Sequence, residues 1–281
     1  MKHPNYLEDF PEEVSRAIQQ FIDSIKKETP YFFGSNLIIR DDIFSILEKT
    51  AIVVFYPLED ENDGFHIQRT LKGKSTDFVY INTSKAIEKQ IFTAAHELGH
   101  RLDVEKYISE CCKKFDVQKY RENVVNRFAT LLLVPENEFR TVVEEKLKEL
   151  KGDEIESSSP IQISLIEVFR LTAFLMDYFF VPFKTIVYRY SETGIITKDV
   201  RNKILSNYSE KLLTECISEG KYLRLNTPNN KKSIADYAEL LEKAESLETL
   251  PFQKIRKIRV QFDIPELTED NKLKLMLTVK E

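Results

Sequence analysis

In Phe92-Thr-Ala-Ala-His-Glu-Leu-Gly-His100 two histidines stand four residues apart, with a glutamate beside the first. Residues i and i+4 of a helix share one face, so both imidazoles can reach a single ion. The surrounding pattern predicts such a helix over about Lys85 to Asp103, with Thr83-Ser84 as its cap and Ile87, Ile91, Ala94, Leu98 and Leu102 as its apolar stripe. On a period of 3.6 residues His96 and His100 point roughly 140–180° away from Ile91, off the buried stripe and toward a cleft. Glu97 is placed as the general base of an H-E-x-x-H motif, taking a proton from the attacking water. Gly99, without a side chain, leaves room for another segment to come close. The plain alternative is a surface helix with two solvated histidines.

Outward from this helix, Asp77-Phe-Val-Tyr-Ile-Asn82 alternates as a strand, and Ala51-Ile-Val-Val-Phe-Tyr56 is a second strand stopped by Pro57. His66 is expected in a loop between them. Helices are expected over residues 1–30, about 37–47, about 119–134 and 164–180, with another opened by Pro182 and ending near Gly194. Lys151 to Pro160 is polar and reads as a linker. Beyond residue 200, helical patterns at about 200–218 and 232–247 precede two alternating runs, Ile258 to Ile264 and Leu273 to Val279. Those runs are expected to pair as a strand hairpin.

A catalytic zinc site usually takes three protein ligands and keeps one position open. Asp103, Glu105, Glu110, Cys111, Cys112, Asp116 and Glu122 are all candidates for the third. Glu122 lies near the start of the next predicted helix with Asn126 one turn on. Asn126 could accept the N–H of a ligand imidazole and so orient it. The plain reading of Glu122 is a solvated carboxylate favoured by the helix dipole.

Composition narrows the function. The chain has 281 residues, 41 Lys and Arg against 46 Asp and Glu, and a net charge of −5, which excludes an overall basic nucleic-acid coat. Only 7 glycines are present and no phosphate-loop pattern occurs. The start of the chain lacks a secretory pattern, and the apolar run Leu171 to Phe183 is too short to span a bilayer, so a cytoplasmic protein without a membrane partner is expected. Three cysteines, Cys111, Cys112 and Cys216, fit free thiols better than a disulfide scaffold.

Phe78-Val-Tyr-Ile-Asn82, then Phe92 to His100, then Glu122-x-x-Val-Asn126-x-Phe-Ala129-x-Leu-Leu-Leu-Val-Pro135 resembles the ImmA/IrrE family of bacterial zinc metallopeptidases. The resemblance covers roughly residues 35–200. It implies a thermolysin-like zinc site with His96, His100 and Glu122 as ligands and Glu97 as base. It also implies a helix-turn-helix transcriptional repressor as the substrate, cut to relieve repression. Manganese or iron would also accept these ligands. The expected architecture is α+β. It comprises an N-terminal helical segment (1–34), a metallopeptidase core (35–148), a helix-turn-helix-like segment (160–200) and a C-terminal α+β domain (201–281). Residues 1–34 and 201–281 fall outside the resemblance.

Three further expectations concern ligand contacts. If the strand bearing Tyr80 and Asn82 is a sheet edge, a substrate peptide could add to it. His66 could stabilise an oxyanion. Lys184 to Arg189 could touch DNA, but with only two basic residues in it helix packing is the favoured reading, and Lys254, Arg256, Lys257 and Arg259 read as one solvated strand face. The competing class is a non-catalytic regulator, or a toxin–antitoxin component, that binds a repressor partner or DNA.

Overall fold

The computed structural model describes residues 10–33, 38–71, 73–151, 163–234, 237–247 and 249–264. In chain order its elements are α1 (Glu12–Glu28), α2 (Pro30–Phe33), α3 (Asp42–Glu48), β1 (Ile52–Tyr56), β2 (Gly64–Leu71), β3 (Lys74–Asn82), α4 (Ile87–Arg101), α5 (Val104–Cys111), α6 (Arg121–Leu133) and α7 (Glu136–Lys151). There follow α8 (Leu165–Phe179), α9 (Phe183–Glu192), α10 (Lys198–Ser206), α11 (Glu210–Glu219), β4 (Ser233–Ile234), α12 (Tyr237–Ser246) and α13 (Phe252–Gln261). The protein is α+β, with one small sheet set among helices.

The sheet runs β2-β3-β1-β4, with β1 parallel to β3 and both outer pairings antiparallel. Strand alternation puts Val53, Phe55, Val79 and Ile81 on one face, all essentially buried. That face lies on α3 and α4, and Phe44 meets Phe55 edge to face at 5.4 Å. From α4, Ile91, Ala94, Ala95 and Leu98 complete this core. Helix α6 packs along α4 with Val124, Val125, Phe128 and Ala129 buried, and α1 covers the α5–α6 side through Phe21, whose ring sits 4.9 Å from Tyr107 and 6.1 Å from Phe128. A capping box between Ser164 and Glu167 starts α8, and Phe180, in the left-handed region, turns the chain toward α9.

Several expectations are corrected. His66 is not in a loop but on β2, a strand whose alternating apolar residues Phe65 and Ile67 are exposed and not in the core. Helix α4 starts at Ile87 with Ala86 at its cap position and no side-chain cap, so Thr83 and Ser84 do not cap it. The first free N–H of α4 instead donates to Thr227 O at 3.0 Å, and Thr83 Oγ1 donates to Lys231 O. Residues 226–234 are thus joined to the core sheet and the core helix, since β4 also pairs with β1. The predicted strand from Ile258 is part of α13. Its apolar residues also recur at helical spacing, with Ile255 buried and Val260 71% exposed, and Pro251 opens the helix. Leu273 to Val279 lies outside the described residues, as does most of the expected linker. The basic cluster sits on α13, where Arg259 is buried against Glu245 at 2.9 Å.

Candidate metal centre

Helix α4 presents His96 and His100 on one face, and the first turn of α6 presents Glu122 opposite them. The two Nε2 atoms are 3.1 Å apart, and Glu122 Oε2 stands 3.3 Å from His96 Nε2 and 3.6 Å from His100 Nε2. A tetrahedral ion with metal–ligand bonds near 2.0–2.1 Å separates its ligands by about 3.3 Å. The three donor atoms therefore form one face of a tetrahedron of that size. Among the described residues they are the group of this kind that could hold a metal ion.

The remaining imidazole nitrogens face outward and are held. Asn126 Oδ1 is 2.9 Å from His96 Nδ1, and Glu105 Oε1 is 2.6 Å from His100 Nδ1. Each outer bond accepts the Nδ1 proton and leaves Nε2 as the donor nitrogen toward the centre. Arg121 in turn holds Glu105, with Nε 2.9 Å from Oε1. Burial pulls the His100 imidazole down, but its hydrogen bonds to Glu105 and Glu122 outweigh that and hold it at about 9. Hydrogen bonds from His100 and His96 hold the Glu122 carboxyl well below the usual carboxylate range. The centre attracts positive charge, which suits a divalent cation.

Two features set this geometry. A Cβ on Gly99 would lie 2.8 Å from Phe128 and 2.9 Å from Val125, so the bare glycine lets α6 approach α4 closely. Asp103, at φ 55°, ends α4 and turns the chain into α5, which returns Glu105 to His100. Glu97 lies on the more buried side of α4 at 5% exposure, and burial pushes its carboxyl up against the pull of His96, His100 and His66. A carboxylate shifted upward is a stronger proton acceptor.

The other candidates fall into place by contact. Among the third-ligand candidates only Glu122 joins the group; Glu105 stands behind His100, and Cys111 and Cys112 end α5 as free thiols. Glu105 and Arg121 carry no motif spacing that would mark them as outer partners. Strand β3 is interior, so the strand addition expected at Tyr80 and Asn82 has no free edge there. The Tyr80 phenol donates to Tyr56 O at 2.9 Å. Asn82 is fully buried and clamps the 58–62 turn, donating to Asn62 O at 2.9 Å and accepting from Leu58 N at 3.0 Å. His66 Nε2 is 2.8 Å from Asp77 Oδ1, and Arg101 Nε is 3.0 Å from Asp77 Oδ2. On α9, Arg189 is buried in an ion pair with Glu192 at 3.1 Å and does not reach solvent.

A short sheet laid on an H-E-x-x-H helix, with a carboxylate delivered by a second helix, defines a candidate metallohydrolase core. A family model described as the IrrE N-terminal-like domain, Peptidase M78, matches residues 47–191, more than half of the chain, and the chain belongs to that family. No curated protein matches the chain. Among the described residues no helix is long and apolar enough to cross a membrane.

Proposed function

We propose that the protein is a zinc-dependent endopeptidase. The observation that carries this reading is the convergence of His96 Nε2, His100 Nε2 and Glu122 Oε2 to tetrahedral spacing, with Glu97 on the same helix beside them. A divalent ion held by these three residues supplies a Lewis acid that polarises the scissile carbonyl and acidifies water. Asn126 and Glu105 keep the two imidazoles oriented. Glu97 takes the proton from the attacking water and passes it to the leaving amine.

The sheet offers a place for an extended chain. Among the described residues β2 is an edge strand, so its outer backbone N–H and C=O groups can pair with an added peptide strand. It lies close on α4: a Cβ on Gly64 would meet Thr93 at 2.6 Å. His66 is two strand residues beyond Gly64, and Glu97 is one helical turn beyond Thr93. Both steps advance about 6 Å, so His66 comes level with Glu97. With Nε2–H held by Asp77, His66 can donate Nδ1–H to the developing oxyanion only in its imidazolium form, and in that form it is the candidate donor.

A helix-turn-helix repressor is the proposed substrate, supported by the family the chain belongs to, and its cleavage would relieve repression. The test uses the purified chain, zinc and a panel of purified helix-turn-helix repressors. The parent should yield discrete fragments. Glu97→Gln should retain zinc and yield none, and His96→Ala should lose the metal. Cleavage that survives in Glu97→Gln overturns the mechanism.

A further inference from the structure

A cleft of about 820 Å³ opens beside the metal centre, between α1, α6 and α9. Two of its lining residues connect it to that centre. Asn126 is the partner of His96, and Phe92 lies one helical turn before His96. Along α6 the lining runs from Asn123 to Leu131, eight residues or about 12 Å at 1.5 Å each. That length accommodates three or four residues of extended chain at about 3.3 Å each.

The acids lining the cleft are all paired. Glu12 meets Arg16 at 2.6 Å, Glu136 meets Arg140 at 3.0 Å, and Glu192 holds both Arg127 and Arg189. Two guanidinium groups therefore face one carboxylate at the Glu192 wall. Arg189 is 1% exposed, and its Nε and Nη2 have no hydrogen-bond partner. About two turns before Glu192 on the same helix, Lys184 is exposed and makes no ion pair among the described residues. The cleft is locally positive in a chain of net charge −5. Its low-dielectric walls focus that field. Phe92, Leu131 and Tyr188 supply apolar surface between the charges.

We infer that this cleft is a subsite for the substrate polypeptide, and that it takes a segment carrying acidic side chains beside apolar ones, with Lys184 reading the acid. The inference rests on the peptidase reading, since the cleft reaches the metal centre through Asn126, the residue that holds His96 Nδ1. It specifies the chemistry of the chain flanking the scissile bond, which the metal centre alone does not.

Binding tests it separately from hydrolysis. Full-length Glu97→Gln protein is titrated with two fluorescein-labelled peptides that share the same apolar residues and carry either Glu or Lys at the flanking positions. Anisotropy should show the Glu peptide binding up to about fivefold tighter, the range for one exposed ion pair. The difference should shrink at high salt. Adding Lys184→Glu should reverse the order, and Lys184→Gln should abolish the difference. Equal binding of the two peptides, or a preference untouched by Lys184→Glu, overturns the subsite. A parent enzyme that hydrolyses peptides without charge preference overturns the subsite alone. A charge preference without hydrolysis in the parent overturns the peptidase reading alone.

Discussion

Replacing Gly99 with alanine tests how the centre is assembled. The new methyl would sit 2.8 Å from Phe128 Cδ1 and 2.9 Å from Val125 Cγ1, against an ordinary carbon contact of about 3.5–4.0 Å. The shortfall is about 1 Å, and both struck atoms lie close to the α6 backbone, on buried side chains with little freedom to swing away. Helix α6 must therefore move by a distance of that order. Overpacking of this kind costs about 1–3 kcal/mol. Gly→Ala in a helix interior returns about 1 kcal/mol. The metal-free variant should then be destabilised by about 0–2 kcal/mol in a urea melt. Metal affinity should suffer more. Glu122 lies on the same helix, one turn before Val125, and ligand distances tolerate only about 0.2 Å. A displacement near 1 Å should weaken zinc binding by at least tenfold, read by competition with a chromophoric chelator. A variant that is about 1 kcal/mol more stable than the parent and binds zinc equally would refute the close α4–α6 approach as the device that delivers Glu122.

Other substitutions probe the supports. Glu105→Gln weakens the acceptor at His100 Nδ1 and should lower zinc affinity by about 10–100-fold with the fold intact, measured by chelator competition and circular dichroism. Unchanged affinity would show that Glu105 does not orient His100. At the Arg127–Glu192–Arg189 network, Glu192→Gln leaves two guanidinium groups without their shared carboxylate and should cost about 3–5 kcal/mol. Arg189→Met keeps the Arg127–Glu192 pair and removes a cation whose charged form burial already disfavours, so its stability should equal or exceed that of the parent. Denaturant melts of the two variants decide this, and a larger loss in Arg189→Met would reverse the assignment.

The parts readable from sequence are those set by short-range periodicity. Val53, Phe55, Val79 and Ile81 alternate, so β1 and β3 were evident. A stripe from Ile87 to Leu98 fixed which face of α4 would be buried. Failures came where local pattern and burial diverge. In β2 Phe65 and Ile67 alternate with His66 and Gln68, but both apolar residues are exposed, so the run lacks the buried face that marks β1 and β3. On α13 the alternate residues Ile258, Val260 and Phe262 mimic a strand, but only contact with its neighbours shows that Val260 faces outward. The start of α4 depends on Thr227, some 140 positions away, which no capping pattern near Thr83 can reveal.

The amino-acid sequence by itself determined that His96 and His100 share a face with Glu97 beside them, because i and i+4 are neighbours on any α-helix. It left seven residues open for the third position. Tertiary structure decided among their places: the bare backbone at Gly99 admits Val125 and Phe128, α6 closes on α4, and Glu122 comes within 3.6 Å of both imidazoles. The same packing puts Glu105 behind His100, carries His66 onto an edge strand beside Glu97, and opens a positively charged cleft along α6. Each of these depends on how elements approach one another, a distance that spacing along the chain does not encode.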